Sequence, residues 1–293
     1  MAISAFVPQV WAARFLDIYY RMLVWGVVVN RQYEGEITQA GDTVKIPTYT
    51  RGVTVKDYTK GVAIAAAETP NGTTQNLTVD QQRYYHVLIE DIDRVQTRPD
   101  LWGAILFDAA RTMAEDTDAR IKTVITDALD TAANRVRLTD TFEDDATPGK
   151  LVKAFVTVCR IMDEANVPKE MRWAIVRPRT IELINKFFVD NESPMYTPVT
   201  NEQVLRNGFA GRLLGFSLLV TTGAASIVVG ADTYDRTIFG QGNHWTAHAE
   251  QLLEMEAYRP ESGFQDATKS LLVYGTKRLS DDYYWYLDHK QPA

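Results

Sequence analysis

The sequence predicts an α+β chain assembled from distinct parts, and three observations carry that reading. Residues 8–29 repeat apolar side chains at helical spacing, residues 42–92 read as a long β excursion, and residues 97–136 sustain one helical stripe ahead of a mixed α/β region. The 293 residues are 45% hydrophobic and 24% charged, which suffices for a core and rules out general disorder. With 31 Lys and Arg against 38 Asp and Glu, the formal net charge is −7. That balance argues against a protein that grips nucleic acid through a basic face, but not against one that merely encloses it.

In the first helix Val10, Trp11, Arg14, Phe15, Ile18, Tyr19, Met22 and Leu23 recur at three- and four-residue steps. Trp11, Tyr19, Tyr20 and Trp25 make it strongly aromatic, as suits a helix that docks on its own core or on a neighbour. Its polar face lacks the Lys richness of a membrane-surface helix. No basic stretch precedes an apolar one at the N-terminus, and the run 22–29 falls well short of the roughly 20 residues that span a bilayer. The expectation is a soluble, intracellular product.

The β excursion opens on "DTVKIPTY" and "GVTVKDY" and returns through "YYHVLIEDID". Its middle, residues 61–80, has almost no large apolar side chains and cannot bury itself in a core of its own. Isolated two-stranded hairpins are marginal and carry unpaired edges, so such an arm makes sense when a second chain covers it. The next helix has a capping-box-like start, Thr97 with Asp100, and Pro99 in its first turn. Trp102, Ile105, Ala109, Met113, Arg120, Ile121, Val124, Ala128 and Leu129 form its stripe. At 1.5 Å per residue it would be on the order of 50–60 Å long, a spine across a flat subunit.

Beyond the acidic boundary "TDTFEDDATPG" a helix starts at Pro148, with Leu151, Phe155, Val158, Cys159 and Met162 on one face. "RWAIVRP" reads as a short buried strand, "RTIELINKFF" as a helix and "DNESPMYTPVTNEQ" as a loop. Strands then return, ending in Tyr283, Tyr284, Trp285 and Tyr286, a cluster better suited to packing than to stacking on bases.

Each candidate for chemistry fails on specific residues. His244 and His248 would share one face of a helix, with Glu250 and Glu254 near, but Trp245 stands where a zinc-protease motif needs Glu. Asp91 and Asp93 would face one side of a strand end beside Glu90, with Arg94 and Arg98 close enough to neutralise them. Glu115, Asp116 and Asp118 read as the solvated face of the long helix. The one cysteine, Cys159, lies in an apolar helical pattern and reads as a core residue. "PGKL" is no phosphate loop, "GQGNH" no dinucleotide fingerprint and "GFSLL" no nucleophile elbow. No catalytic, cofactor-binding or metal-ligating residue is assigned, and no enzyme activity is expected.

Five stretches, in order, carry a resemblance. They are "NRQYEGEITQAGDTVKIP" with "YTKG" (30–47, 58–61), "IEDIDRVQ" (89–96), "MRWAIVRPRTIELI" (171–184), "GRLLGFSLLVTT" (211–222) and "LEMEAYRPESGFQDATKSLLVYGTKRL" (253–279). Together they resemble the major capsid protein of tailed bacteriophages, the Hong Kong 97-type fold. The resemblance implies an N-terminal arm (1–41), an extended β loop (42–92), a peripheral domain with a spine helix (93–140), an axial α/β domain (141–250) and returning peripheral strands with the C-terminus (251–293). In "GRLLGFSLLVTT" Gly211 and Gly215 would bracket a tight approach into a strand. Phe216, Leu218 and Val220 would alternate toward the axial core, and Arg212 would be free to meet a carboxylate.

The function implied is a virion shell, assembled in the host cytoplasm from hexamers and pentamers of this chain, around packaged double-stranded DNA that is not bound specifically. Portal and scaffolding proteins are implied partners; decoration proteins are left open. The scaffold would be separate, because no long N-terminal coiled coil is present. Lys56 and Lys60 lie on the extended loop, but no matching Asn and acidic catalyst are evident, so covalent cross-linking is not expected. Encapsulin-type compartments are the alternative with the same fold. A metal-dependent hydrolase built on Asp91 and Asp93, or on His244 and His248, is the remote one.

Overall fold

The computed structural model describes residues 6–33, 43–49, 53–61, 63–64, 66–68, 72–90, 101–127, 134–141, 148–190, 196–197, 209–261, 263–280 and 283–291. The elements run α1 (Phe6–Met22), β1 (Thr43–Tyr49), β2 (Gly72–Thr78), β3 (Gln81–Glu90), α2 (Leu101–Thr126), β4 (Arg135–Thr141), α3 (Pro148–Glu164), β5 (Arg172–Val176) and α4 (Pro178–Asp190). The strands β6 (Tyr196–Thr197), β7 (Phe209–Leu213), β8 (Phe216–Val220), β9 (Ser226–Val229), β10 (Asp232–Gln241), β11 (Thr246–Tyr258), β12 (Gln265–Arg278) and β13 (Tyr284–Lys290) follow.

An eight-stranded sheet forms the larger body, in the order β4-β13-β10-β5-β8-β7-β6, with β9 pairing β10. Both its faces are covered, so the central strand β5, RWAIV, is buried at every position rather than at alternate ones. Alternate residues nevertheless point opposite ways. Ala174, Val176, Phe216, Leu218, Phe239, Trp285 and Leu287 meet α3 and α4 through Leu151, Phe155, Val158, Met162 and Ile184. Trp173, Ile175, Leu219, Ile238, Tyr284 and Tyr286 face the other way, onto Ile121 and Ile125 of α2 and the segment after α1. Register between β10 and β13 is marked by a buried ion pair. Arg236 and Asp288 stand opposite each other and join through two hydrogen bonds of 2.7 and 2.9 Å, with Arg137 of β4 adding a third at 3.2 Å. Such a pair adds little net stability but penalises any slipped pairing.

A second sheet, β11-β12-β3, packs one face on α1 and α2, where Phe15, Tyr19, Leu23, Leu106, Ala110, Met113, Ala114, Leu272 and Tyr274 close a core. A third, β1 with β2, is a two-stranded arm.

Several expectations change. The first helix stops at Met22 rather than near residue 29, and a 3-10 turn at Trp25–Val27 follows. Three amides beyond Leu23 find a carboxylate acceptor on α2, which stabilises this break. The long helix covers 26 residues, about 39 Å at 1.5 Å each. Its expected start at Thr97, Pro99 and Asp100 lies outside the described residues. From Arg135 the chain is a strand, pairing parallel with β13, because Val136 and Leu138 alternate onto the α3 core. The β excursion divides: β3 pairs β12 rather than the arm. The closing segment 251–293 divides too, since β13 joins the eight-stranded sheet and carries Tyr284, Trp285 and Tyr286 into its core.

The expectation for Gly211 and Gly215 is met, both having positive φ (124° and 86°). Leu214 (φ 52°) and Gly215 make the two-residue hairpin loop between β7 and β8, with the left-handed backbone that such loops need. Phe216 and Leu218 are buried, Val220 is half-buried and Arg212 is exposed. Gly215→Val forces a β-branched residue into that conformation and should cost about 1–3 kcal/mol. Chemical denaturation checks this; an unchanged midpoint and slope would contradict the turn assignment.

Candidate assembly surface

The arm has an anchored base and an uncovered tip. In the base, β1 and β2 pair over seven positions, from Thr43↔Thr78 to Tyr49↔Gly72. Alternation puts Val44, Ile46 and Leu77 on one side, and with Val79 they bury against Ala247, Ala249 and Val273, on the sheet face opposite α1 and α2. The Gln75 side chain adds a 2.8 Å hydrogen bond to the carbonyl of Leu279. Residues 61–80 form no core of their own, but at Leu77 and Val79 the cover comes from the chain's own body and not from a second chain.

This seat depends on Gly275. A Cβ there would lie 2.3 Å from the carbonyl oxygen of Thr78 and 3.0 Å from the Cα of Val79, both backbone atoms. Only glycine lets the arm lie this close to β12.

The tip is different. Val53, Tyr58 and Ile64 are largely exposed and Val55 is completely so. Glu68 ties the two legs together, accepting from the Thr54 amide at 3.1 Å and pairing with Lys56 at 2.8 Å. Lys56 and Thr54 hold its carboxyl down at about 2. These polar groups of the tip are thus partnered while its apolar ones are not, and each large side chain left in water forgoes about 1.5–3 kcal/mol of burial. The sheet face beside the arm has the same character: Tyr84, Leu88 and Phe264 project from it at 76%, 48% and 82% exposure. β3 is moreover the edge strand of its sheet.

The residues weighed for chemistry lie apart. His244 is exposed in the turn before β11 and His248 is buried within β11, so they share no helix face. Burial lowers the His248 imidazole to about 3; its ring nitrogens meet Thr276 at 2.8 Å and Glu250 at 3.1 Å. Asp91 and Asp93 lie outside the described residues, and Glu90 is exposed. Among the described residues no three His, Cys, Asp or Glu cluster as a metal site would require. Cys159 is half-buried against the α3 core, with a guanidinium nitrogen of Arg172 3.7 Å from its sulfur. No described helix is long and apolar enough to cross a membrane.

The acidic trio on α2 is corrected in part. Glu115 is solvated and pairs with Arg111, and Asp116 meets Arg83 and Tyr274. Asp118 turns inward and accepts the amides of Val24, Trp25 and Gly26 at 2.8, 3.1 and 3.3 Å. Burial pushes its carboxyl up to about 7, against those three donors, which pull it down. Sequence periodicity alone could not find this residue, because its partners are 92–94 positions away.

Solved structures show what this arrangement resembles. A chain from Mycobacterium phage Che8 is 25% identical, with a TM-score of 0.65 and 90% of each chain covered. One from the capsid of the cyanophage P-SCSP1u is 13% identical, with a TM-score of 0.65 over 87% of this chain and 85% of that one. The SrpI encapsulin of Synechococcus elongatus is 12% identical, with a TM-score of 0.51 over 86% of this chain and 83% of its own. No protein-family model and no curated protein matches the chain.

Gly275→Ala should destabilise by about 1–3 kcal/mol through overpacking and expose residues 43–79 to protease before the rest of the chain. Limited proteolysis with mass spectrometry reads the order, and cleavage spread evenly over the chain would contradict it. For Asp118, the folded chain retains a proton that the unfolded chain has given up, so its contribution is present at low pH and fades as pH rises through about 7. Wild type should lose stability relative to Asp118→Asn between about pH 4 and about pH 7; a constant difference in Tm would refute the raised carboxyl.

With the two sheets, the long helix and the projecting arm, the likenesses to solved shells give the chain the fold of tailed-bacteriophage major capsid proteins, the Hong Kong 97-type fold that its sequence resembles.

Proposed function

We propose that this chain is the coat subunit of an icosahedral virion shell, assembled as hexamers and pentamers in the host cytoplasm around packaged double-stranded DNA. The observation that carries the reading is the arm: a base fixed to its own subunit and a tip whose Val53, Val55, Tyr58 and Ile64 face water until a second copy covers them. Contacts of this kind are individually small, but each subunit makes several, and a closed shell combines them. No reaction is proposed.

The net charge of −7 supports enclosure without tight binding, since a lining that held phosphates strongly would hinder the DNA from moving in and out. In this reading residues 1–41 serve as the N-terminal arm, 42–92 as the extended loop, 93–140 as the peripheral part with its spine and 141–250 as the axial part. Residues 251–293 supply the returning strands, with β4 and β13 contributed to the axial sheet. A separate scaffolding protein and a portal complete the partners. The encapsulin reading keeps the same shell and replaces DNA by cargo protein; the SrpI likeness supports it.

Replacing residues 53–68 with a short Gly/Ser linker should leave a folded subunit and abolish closed shells. Electron microscopy reads the shells, and circular dichroism with gel filtration reads the subunit. Normal particles from this variant would overturn the role of the tip. Co-expression with the genes adjoining its own should give particles holding nuclease-resistant DNA; particles filled only with a cargo enzyme would decide for the encapsulin reading.

A further inference from the structure

We propose that residues 23–31 form a releasable strap wedged between α2 and the eight-stranded sheet, latched by Asp118 of α2 at one end and by Glu250 of the three-stranded sheet at the other, and that its release lets α2 and the eight-stranded sheet move relative to each other. The strap is a wedge. Val24, Trp25, Val28 and Val29 are buried between Ile121 and Ile125 of α2 and the sheet residues Trp173, Ile175, Leu219, Ile238 and Tyr286.

Its attachments are few and discrete. At the first latch one carboxylate, Asp118, accepts three consecutive amides that no strand or helix serves. At the second, Glu250 of β11 takes the Tyr19 hydroxyl at 2.6 Å and pairs with Arg31, whose guanidinium also lies 4.6 Å from the Tyr20 ring centre. Between the latches the strap's backbone bonds to a strand at one place, on β11. The Asn30 amide donates to Thr246 and the His248 amide to Asn30, each at 2.8 Å. Parting these contacts breaks no pairing within either large sheet, which is the condition for local opening below the cost of global unfolding.

The wedge also carries a built-in penalty. Trp25 is 1% exposed, and its indole N–H has no acceptor among the described residues. A buried donor without a partner is unfavourable, and the released strap regains a hydrogen bond to water. A segment meant only as core would favour phenylalanine here.

Amide hydrogen exchange on the full chain, in whatever assembly it forms, tests the strap directly. Amides 24–26 should exchange well before those of β10 and β13. Asp118→Ala should speed them roughly tenfold or more, the weight of a hydrogen bond to a charged group, and Trp25→Phe should slow them, both leaving β10 and β13 unchanged. If amides 24–26 exchange together with β10 and β13 in all three proteins, the segment is core and not strap. For the coupled motion, spin labels at Lys122 and Val228 in a Cys159→Ser background should give a broader distance distribution in Asp118→Ala than in the parent. An unaltered distribution alongside faster strap exchange would overturn the coupling. The shell reading predicts neither result, so these outcomes stand or fall separately from it.

Discussion

One helix has to satisfy two cores, and the remaining architecture follows from that. The first half of α2 gives Leu106, Ala110, Met113 and Ala114 to the core beneath β11-β12-β3. Its second half gives Ile121 and Ile125 to the core beneath the eight-stranded sheet. A helix about 39 Å long is stiff over that distance, so it fixes the separation of the two bodies. The segment after α1 runs alongside it, bonded to Asp118 and packed on Ile121 and Ile125.

Three polar contacts, two on this crossing and one inside the eight-stranded sheet, are carboxylates on regular elements facing partners distant in sequence. Asp118 meets amides 92–94 positions away, Glu250 meets Tyr19 across 231, and Asp288 meets Arg236 across 52. Buried charges of this sort contribute modestly to stability, because desolvation offsets attraction. Their effect is to make one arrangement acceptable and its neighbours costly.

Against these self-satisfied parts stands the arm. Val44, Ile46 and Leu77 are buried at its base, whereas Val53 and Val55 are exposed at its tip. Gly275 permits the close approach that seats the base, beside Thr78 and Val79 at the end away from the tip. A subunit finished at one end of an element and unfinished at the other has a stated direction in which to associate, and under the proposed shell function that direction is toward copies of itself.

Much of this is legible in the amino-acid sequence. Helical spacing identifies α1, α2, α3 and α4, the glycines of 211–222 announce a turn with positive φ, and the shortage of apolar residues in the arm announces a surface in need of cover. These signals are local, set by backbone preference and side-chain period. What the tertiary structure alone decided was non-local. Arg135 begins a strand because β13 offers a parallel partner, and the first helix ends at Met22 because Asp118 supplies acceptors for the next amides. His248 and Glu250 meet on a strand rather than a helix, and Leu77 is core because Val273 lies beneath it. The physical reason is the same in each case: a residue's own sequence fixes which bonds and surfaces it has to offer, while only the packed chain fixes which partner, tens or hundreds of positions away, is there to receive them.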